Sequence, residues 1–214
     1  TTLLTTTAAI SNGTTLNVSG ASSIGANIST TGDQTYTGAV TLTASPTLTS
    51  PTGTILFSST VDGAQTLTIT NSGSTGDVTF TNAVGTTALT GLTITTDVLT
   101  AAAIKSIGTL SVTNTGASSI TGIISNGASA LAVTKAGTGT LTLSGANTYT
   151  GLTTISAGTL KLGAAGGATN TPLGTTTAGT VVSTNGTLDL AGFTLGTAEA
   201  LTLNGTGTGS IGAL

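Results

Sequence analysis

Short runs that alternate an apolar residue with threonine or serine recur along the whole chain, and most end at glycine or asparagine. The clearest example is Leu131–Gly163, LAVTKAGTGTLTLSGANTYTGLTTISAGTLKLG. A period of two is typical of a strand with one buried face, and turn residues every few positions indicate that the strands are short. The pattern therefore predicts an all-β chain built from many short strands.

The same pattern predicts strands throughout the rest of the chain. It recurs about every 10 to 20 residues, a spacing that fits either a β-sandwich or a β-solenoid. The predicted strands are Leu16–Val18, Val40–Thr43, Ile55–Phe57, Leu67–Thr70, Val78–Thr81, Leu92–Thr95, Leu110–Thr113, Leu131–Thr134, Leu141–Ser144, Leu160–Leu162, Leu188–Leu190 and Leu201–Asn204.

Two features favour the solenoid. Asparagine precedes glycine where strands end, as in Asn71–Gly73 and Asn114–Gly116. Asparagine tolerates the left-handed backbone conformation, and such turn residues can stack into ladders in successive coils. Internal similarity is the second feature, and it is typical of degenerate stacked repeats. Gln34–Ala44 resembles Asn147–Ala157, and Gly20–Ile24 resembles Gly116–Ile120.

We therefore expect one parallel β-solenoid over residues 1–214, without an internal boundary and with about ten coils of roughly 20 residues. Three places interrupt the pattern. Val98–Ile107, with three successive alanines, predicts an irregular coil or a brief excursion. Thr169–Gly174 predicts a loop, because Pro172 cannot donate to an interior ladder. Pro46 and Pro51 flank Thr47–Ser50 and predict a corner there.

The composition argues against catalysis. The chain has 57 threonines and 32 glycines, only 4% of its residues are charged, and it contains no cysteine, histidine or arginine. Catalytic triads and most metal sites need these absent residues. We therefore predict no catalytic, cofactor-binding or metal-binding residues, and turn or surface roles for the acids. If the fold brought several carboxylates together, an enzyme that acts on glycans would again be a candidate. The acidic residues are Asp33, Asp62, Asp77, Asp97, Asp189 and Glu199.

Charge and hydropathy also limit the partners. Lys105, Lys135 and Lys161 are the only basic side chains, too few to neutralise a run of phosphates, so we expect no binding of nucleic acid. The segment contains no run of ~20 apolar residues, so we expect no membrane insertion by it. Thr1–Ile10 lacks the basic start of an export signal, so we interpret the sequence as a mature or internal piece of a longer or polymerising surface protein.

The aromatic residues are few. Tyr36 and Tyr149 lie in similar boxes, and we expect each to pack at a coil corner with its hydroxyl at the surface. A sugar-stacking platform is the alternative. Phe57, Phe80 and Phe193 are predicted core residues.

Threonines alternate along several predicted strands, which would place their hydroxyls on one face. They lie in Thr66–Thr70, Thr79–Thr81, Thr93–Thr95 and Thr138–Thr142. Stacked at about 4.8 Å, they could form an ice-binding array. The simpler interpretation is that threonine is the best polar residue for an exposed strand position.

Two segments resemble known families. Thr138–Gly163, with GTLTLSGANTYTG followed by TTISAGTLKLG, resembles the passenger-associated repeat of bacterial autotransporters. Leu152 departs from it, because the family commonly has a second glycine there. Segments in the first half resemble the repeats of filamentous-haemagglutinin-like surface proteins; these are Gly32–Ala44, Thr60–Gln65 and Val78–Leu89.

The resemblance implies a right-handed parallel β-helix displayed outside the cell at a bacterial surface, with no catalytic residues. Such proteins commonly serve adhesion, aggregation or biofilm structure. The leading hypothesis is a structural rod that self-associates end to end into filaments or continues as a surface fibre. The alternative is an adhesin passenger that binds a cell-surface receptor or glycan through loops such as Thr169–Gly174.

Overall fold

The computed structural model describes residues 3–210 and 212–214, which form a parallel β-solenoid of about ten turns. The strands are β1 Leu4–Thr6, β2 Ile10–Gly13, β3 Leu16–Val18, β4 Ser22–Ile24, β5 Ile28–Thr30, β6 Gln34–Tyr36, β7 Val40–Leu42, β8 Thr47–Thr49, β9 Ile55–Phe57, β10 Val61–Asp62, β11 Thr66–Thr70, β12 Val78–Phe80, β13 Val84–Thr96, β14 Leu99–Ala101, β15 Ile104–Asn114, β16 Ala117–Ile120, β17 Ile124–Ala136, β18 Thr140–Leu143, β19 Thr153–Leu162, β20 Thr180–Asp189 and β21 Leu201–Leu203. A 3-10 helix spans Thr208–Ser210, and within the described ranges no helix is long and apolar enough to cross a membrane.

Each coil has three sides, which we call A, B and C in chain order. On side A, β1 pairs with β4, β4 with β7 and β7 with β10, all in parallel. The register Leu4–Ser22–Val40–Val61–Val84 shows coils of 18, 18, 21 and 23 residues. These lengths confirm the prediction of stacked coils of roughly 20 residues.

Side B contains β2, β5, β8, β11 and β21, and side C contains β3, β6, β9, β12, β14, β16 and β18. The long strands turn corners. β13, β15 and β17 run from side A onto side B, and β19 and β20 run from side B onto side C. The ladder shifts register at each corner, and Gly108 and Gly158 take positive φ angles of 83° and 69° there.

Side chains that point inward stack in columns along the solenoid axis, because strands on each side pair in register. On side C, Tyr36, Phe57 and Phe80 stack ring on ring, with centroids 5.0 and 4.8 Å apart and planes within 10°. All three are at most 1% exposed. The coil spacing therefore matches the separation that stacked aromatic rings prefer.

A column of polar side chains lines the corner between sides B and C. Each one donates a hydrogen bond of 2.6 to 2.8 Å to the backbone carbonyl of a corner glycine: Thr30 and Ser50 to Gly32, Asn71 to Gly53, Thr96 to Gly76 and Asn114 to Gly116. The predicted ladder is thus confirmed, although it mixes residue types. The left-handed conformation expected of asparagine is wrong at Asn71 and Asn114, which act instead as buried donors.

Lys135 occupies an inward position on side B, between Val112 and Ile155 in an otherwise apolar column. Its side chain is 0% exposed, and its ammonium donates to the carbonyls of Ala136, Gly137 and Ala157 at 2.7, 2.9 and 3.3 Å. Gly137 occupies the position after Asn114 in the corner column and has no side chain to donate a hydrogen bond. The ammonium of Lys135 takes the place of the polar side chain that other coils have there. Burial lowers the pKa of Lys135 to about 8.

Several expectations from the sequence are corrected. Val98–Ile107 is a regular part of the solenoid: β14 and the start of β15 lie in it, and Ala101 is buried in the column below Phe80. Phe193 is 39% exposed, so it is not a core residue. Pro46 and Pro51 flank the strand β8 on side B, whereas the sequence predicted a corner over Thr47–Ser50.

The internal similarities do not mark equivalent positions. Gln34–Tyr36 lies on side C, whereas the similar Asn147–Tyr149 lies beside the side A strand β17. Ser22–Ile24 lies on side A, and the similar Ser118–Ile120 lies on side C. All three sides need the same alternation of buried and exposed residues, which explains why similar sequences occur on different sides.

Lys135 should make the stability of the protein rise between pH 8 and pH 10. The folded state loses the Lys135 proton near pH 8, whereas the unfolded chain keeps it until its ordinary pKa near 10.5, so raising the pH favours the folded state. We expect the free energy of unfolding, measured by urea denaturation, to increase by about 2 kcal/mol over this range. Lys135→Met should remove the increase.

Lys161→Met, which replaces a half-exposed lysine, is the matched control and should keep the increase. Above pH 10 the trend should reverse, because burial raises the pKa of Tyr36 and Tyr149 and only the unfolded chain ionises there. Parallel pH profiles of wild type and Lys135→Met would contradict this role of Lys135.

Candidate functional site

Most carboxylates of the chain cap turns at the coil corners. Each accepts a hydrogen bond from a neighbouring backbone N–H or threonine hydroxyl: Asp33 from Thr54, Asp62 from Thr86 and Thr87, Asp97 from Thr115, and Asp189 from Ala191. Over residues 3–210 and 212–214, no three acidic side chains come together in a group that could hold a metal ion. The carboxylates therefore serve local geometry at these corners.

Glu199 differs from the aspartates because one of its carboxylate oxygens is buried without a hydrogen-bond partner among the described residues. Its Oε1 accepts a hydrogen bond of 2.9 Å from the hydroxyl of Thr180, and its Oε2 has no partner among the described residues. Burial raises the pKa of this carboxyl above its ordinary value, and the hydrogen bond from Thr180 opposes the shift.

Both tyrosine hydroxyls are buried, contrary to the expectation that they reach the surface. Tyr36 donates to Oε1 of Gln34 at 2.9 Å, and the hydroxyl of Tyr149 lies 2.7 Å from that of Thr153. Each tyrosine is 0% exposed. Neither ring is therefore available as a platform for a sugar.

Thr169–Gly174 contains no strand, as predicted, but much of it packs into the solenoid. Leu173 is 1% exposed, and the carbonyl of Pro172 accepts a 2.6 Å hydrogen bond from the side chain of Asn147. This segment closes side A of its coil, since Thr171 pairs with Asn147 and accepts a backbone hydrogen bond from it. Because Leu173 is buried, this residue of the loop is not available to contact a receptor.

A cleft lies on the outer surface of side C near the C-terminal coils. Its volume is about 540 Å³, and its polar lining includes Lys161, Asp189 and the threonine column Thr140–Thr159–Thr187. The ammonium of Lys161 lies 3.6 Å from the carboxylate of Asp189, and both side chains are more than 40% exposed. The hydroxyl of Thr187 is bonded within the chain to Gly212 and Thr208, so the cleft offers a ligand a cation, an anion and the hydroxyls of Thr140 and Thr159.

The outward threonines occupy two different sides of the solenoid, whereas the sequence predicted one face. Thr68, Thr70, Thr93 and Thr95 lie on side B, and Thr79 and Thr142 lie on side C. Side B is the more regular of the two, because threonine or serine recurs there at two positions in successive strands.

The N-terminal coil has a bare edge. β1, β2 and β3 pair with β4, β5 and β6 on one side, and no other described strand pairs with their opposite edges. These strands read LTT, ISNG and LNV, with no charged residue or proline. Natural proteins usually protect exposed edges with such residues, so this edge can accept another strand.

The opposite end of the stack is formed by β21 on side B, which pairs with β20. Gly212–Leu214 covers the end of side C, where Leu188 donates a backbone hydrogen bond to Ala213. Leu203 of β21 is 44% exposed, and Leu3 at the other end is 65% exposed. Each end therefore presents apolar surface beside strand edges.

Residues 133–162 match the family described as passenger-associated-transport-repeat. The match confirms the resemblance seen in Thr138–Gly163, and it spans side B of one coil through side C of the next, including Lys135. No curated protein and no solved structure matches the chain.

The match and the β-solenoid fold together support a structural role in an autotransporter passenger. They suggest a structural protein rather than an enzyme, and they imply that the protein is secreted or exposed at the cell surface.

The buried part of Thr169–Gly174 should matter for stability, whereas Phe193 should not. We expect Leu173→Ala to lower the free energy of unfolding by about 2–4 kcal/mol, because it leaves a cavity in the core. Phe193→Ala is the control, and its exposed side chain should leave stability within about 0.5 kcal/mol of wild type. Equal losses in urea denaturation of the two variants would contradict the placement of this segment.

Proposed function

We propose that this protein is a non-enzymatic extracellular rod that forms part of a bacterial surface fibre supporting adhesion or biofilm. The bare N-terminal edge of β1–β3 carries the proposal. The rod extends when this edge pairs with a further coil, supplied by a second copy or by more of the same polypeptide.

The backbone geometry at this edge suits such pairing. Leu4 donates its N–H to Ala21, and Thr6 accepts from Gly25, so both residues direct their backbone groups toward the next coil. Backbone groups alternate between the two sides of a strand, which leaves the N–H and C=O of Thr5 directed away from the stack. In β3 the same argument leaves those of Asn17 unpaired, because Leu16 and Val18 bond β6.

The surface charge offers little resistance to association. The chain has a net charge of −3 over 214 residues. Only 4% of the residues are charged, against about 25–35% on the surface of a typical soluble domain, so few charges oppose contact between copies. Because the two ends of a parallel solenoid differ, copies would join head to tail, and a head-to-tail contact that does not close into a ring produces an open fibre.

Proline at the edge tests the proposal directly. Thr5→Pro combined with Asn17→Pro removes two N–H groups that point away from the stack, and it removes no ladder bond inside the rod. We expect wild type to form fibres in electron micrographs and the double proline variant to remain monomeric with an unchanged core.

The matched control is Thr5→Ala with Asn17→Ala, which changes the same side chains but keeps the backbone donors. This control should still form fibres. Wild type that stays monodisperse in light scattering at high concentration, or a proline variant that polymerises as well as wild type, would overturn end-to-end pairing.

The cleft at Lys161 and Asp189 supports a second candidate function, an adhesin passenger that binds a glycan. Carboxylate, ammonium and threonine hydroxyls are groups that can hydrogen-bond sugar hydroxyls, and Leu190 and Leu214 add apolar surface to the lining. In this reading the cleft, rather than Thr169–Gly174, holds the ligand.

Lys161→Ala with Asp189→Ala should then abolish binding on an array of immobilised glycans. An exposed ion pair contributes little to stability, so the rod should unfold at the same urea concentration as wild type. Lys105→Ala, an exposed lysine outside the cleft, is the control and should bind normally. Binding retained by the double variant would remove the cleft as the site.

A further inference from the structure

The outward surface of side B carries a two-dimensional lattice of hydroxyl groups. One column runs along the axis through successive coils, and a second column lies two residues further along each strand. The first column is Thr47, Thr68, Thr93, Ser111, Thr134 and Thr154, and the second is Thr49, Thr70, Thr95 and Thr113.

The lattice is regular because the strands that carry it pair without a bulge. β8 pairs with β11 and β11 with β13 in continuous register, and so do Gly91–Thr96 with Thr109–Asn114. The inward residues between the two columns, such as Ile69 and Ile94, are 0% exposed and keep the sheet anchored to the core. The side B segments Thr47–Thr49, Thr66–Thr70, Gly91–Thr96 and Thr109–Asn114 include no charged side chain.

The hydroxyls of the lattice are free to bind something outside the chain. None of the ten makes a hydrogen bond to another described residue, although all ten side chains are half-buried. Elsewhere in the rod many threonine hydroxyls are used internally. Thr96 donates to Gly76, for example, and Thr66 bonds Thr90. Hydroxyls left free at regular intervals, on strands that pair without a bulge, are arranged to bind a ligand with a lattice of its own.

We infer that side B binds ice. Neighbouring coils place hydroxyls about 4.8 Å apart along the axis. In tetrahedral water, two molecules that share a hydrogen-bonded neighbour lie about 4.5 Å apart, given O···O distances of about 2.75 Å. The two spacings are close enough for several successive hydroxyls to join one layer of ordered water. The methyl group beside each threonine hydroxyl excludes mobile water from the spaces between them.

Side C provides an internal comparison. Its outward column contains Thr79, Thr100 and Ser119, but Leu56 interrupts it at one end and Lys161 and Asp189 form an ion pair at the other. It also has one hydroxyl per strand in β12 and β14, so it lacks a second column. Side C should therefore not bind ice.

Thermal hysteresis and ice shaping by the 214-residue chain test the inference. We expect hysteresis in wild type and its loss in Thr68→Lys with Thr93→Lys, because two long charged side chains at the centre of the lattice separate it from a flat crystal face. The matched control, Thr79→Lys with Thr100→Lys, places the same charges on side C and should keep wild-type hysteresis. Far-ultraviolet circular dichroism and urea denaturation establish that both variants fold.

Absence of hysteresis in wild type at high concentration would overturn the inference, as would equal loss in both variants. Sedimentation of the same three proteins identifies a competing occupant. If the side B variant alone loses a wild-type dimer and no hysteresis is seen, the lattice binds a second copy and the inference is wrong. The edge pairing proposed above does not involve side B, so the proline variant should keep its hysteresis.

Discussion

The backbone ladder between successive coils is the interaction on which the rest of this structure depends. Because strands on each side pair in parallel with strands on the same side of the next coil, the paired residues lie above residues of matching orientation. Columns of like side chains follow directly from that register. The aromatic stack of Tyr36, Phe57 and Phe80 and the polar corner column are both consequences of it.

The corners impose the strictest demands on the sequence. Backbones of neighbouring coils approach so closely there that a Cβ at Gly53 would lie 2.3 Å from the backbone of Gly32, and one at Gly139 would lie 2.3 Å from the carbonyl oxygen of Gly116. The corner between sides B and C therefore needs glycine, which has no Cβ to clash with the neighbouring coil. It also needs a buried side chain that donates a hydrogen bond to the glycine carbonyl. Where the donor column reaches Gly137, the ammonium of Lys135 supplies it, at the cost of burying a charge without a carboxylate.

Alternation predicted an all-β chain and many of its strands, and Ile55–Phe57 agrees with the structure at both ends. The choice of a solenoid over a sandwich needed the asparagine and glycine residues where strands end and the internal similarity. Several of the strands that were missed have polar inward residues. Ser22 in β4 and Gln34 in β6 are buried, and Gln34 is satisfied by the hydroxyl of Tyr36 and the carbonyl of Thr49, contacts that no local pattern reveals. Phe193 was misassigned because hydrophobicity alone does not show that the chain has left the ladder. The side on which a threonine lies depends on coil lengths that vary from 18 to 28 residues, so the side B lattice could not be located from sequence.

Among the described residues, no cluster of side chains could hold a metal ion. Three surface features are candidates for function: a bare edge at the N-terminal coil, a cleft on side C and a lattice on side B. The central claim is that the coil axis is also the fibre axis. X-ray diffraction from aligned fibres of the protein tests it most directly. The account predicts a strong reflection at about 4.8 Å along the fibre axis, because strands then lie across it. The same spacing found perpendicular to the fibre axis would show that copies associate through their sides, and it would contradict the account.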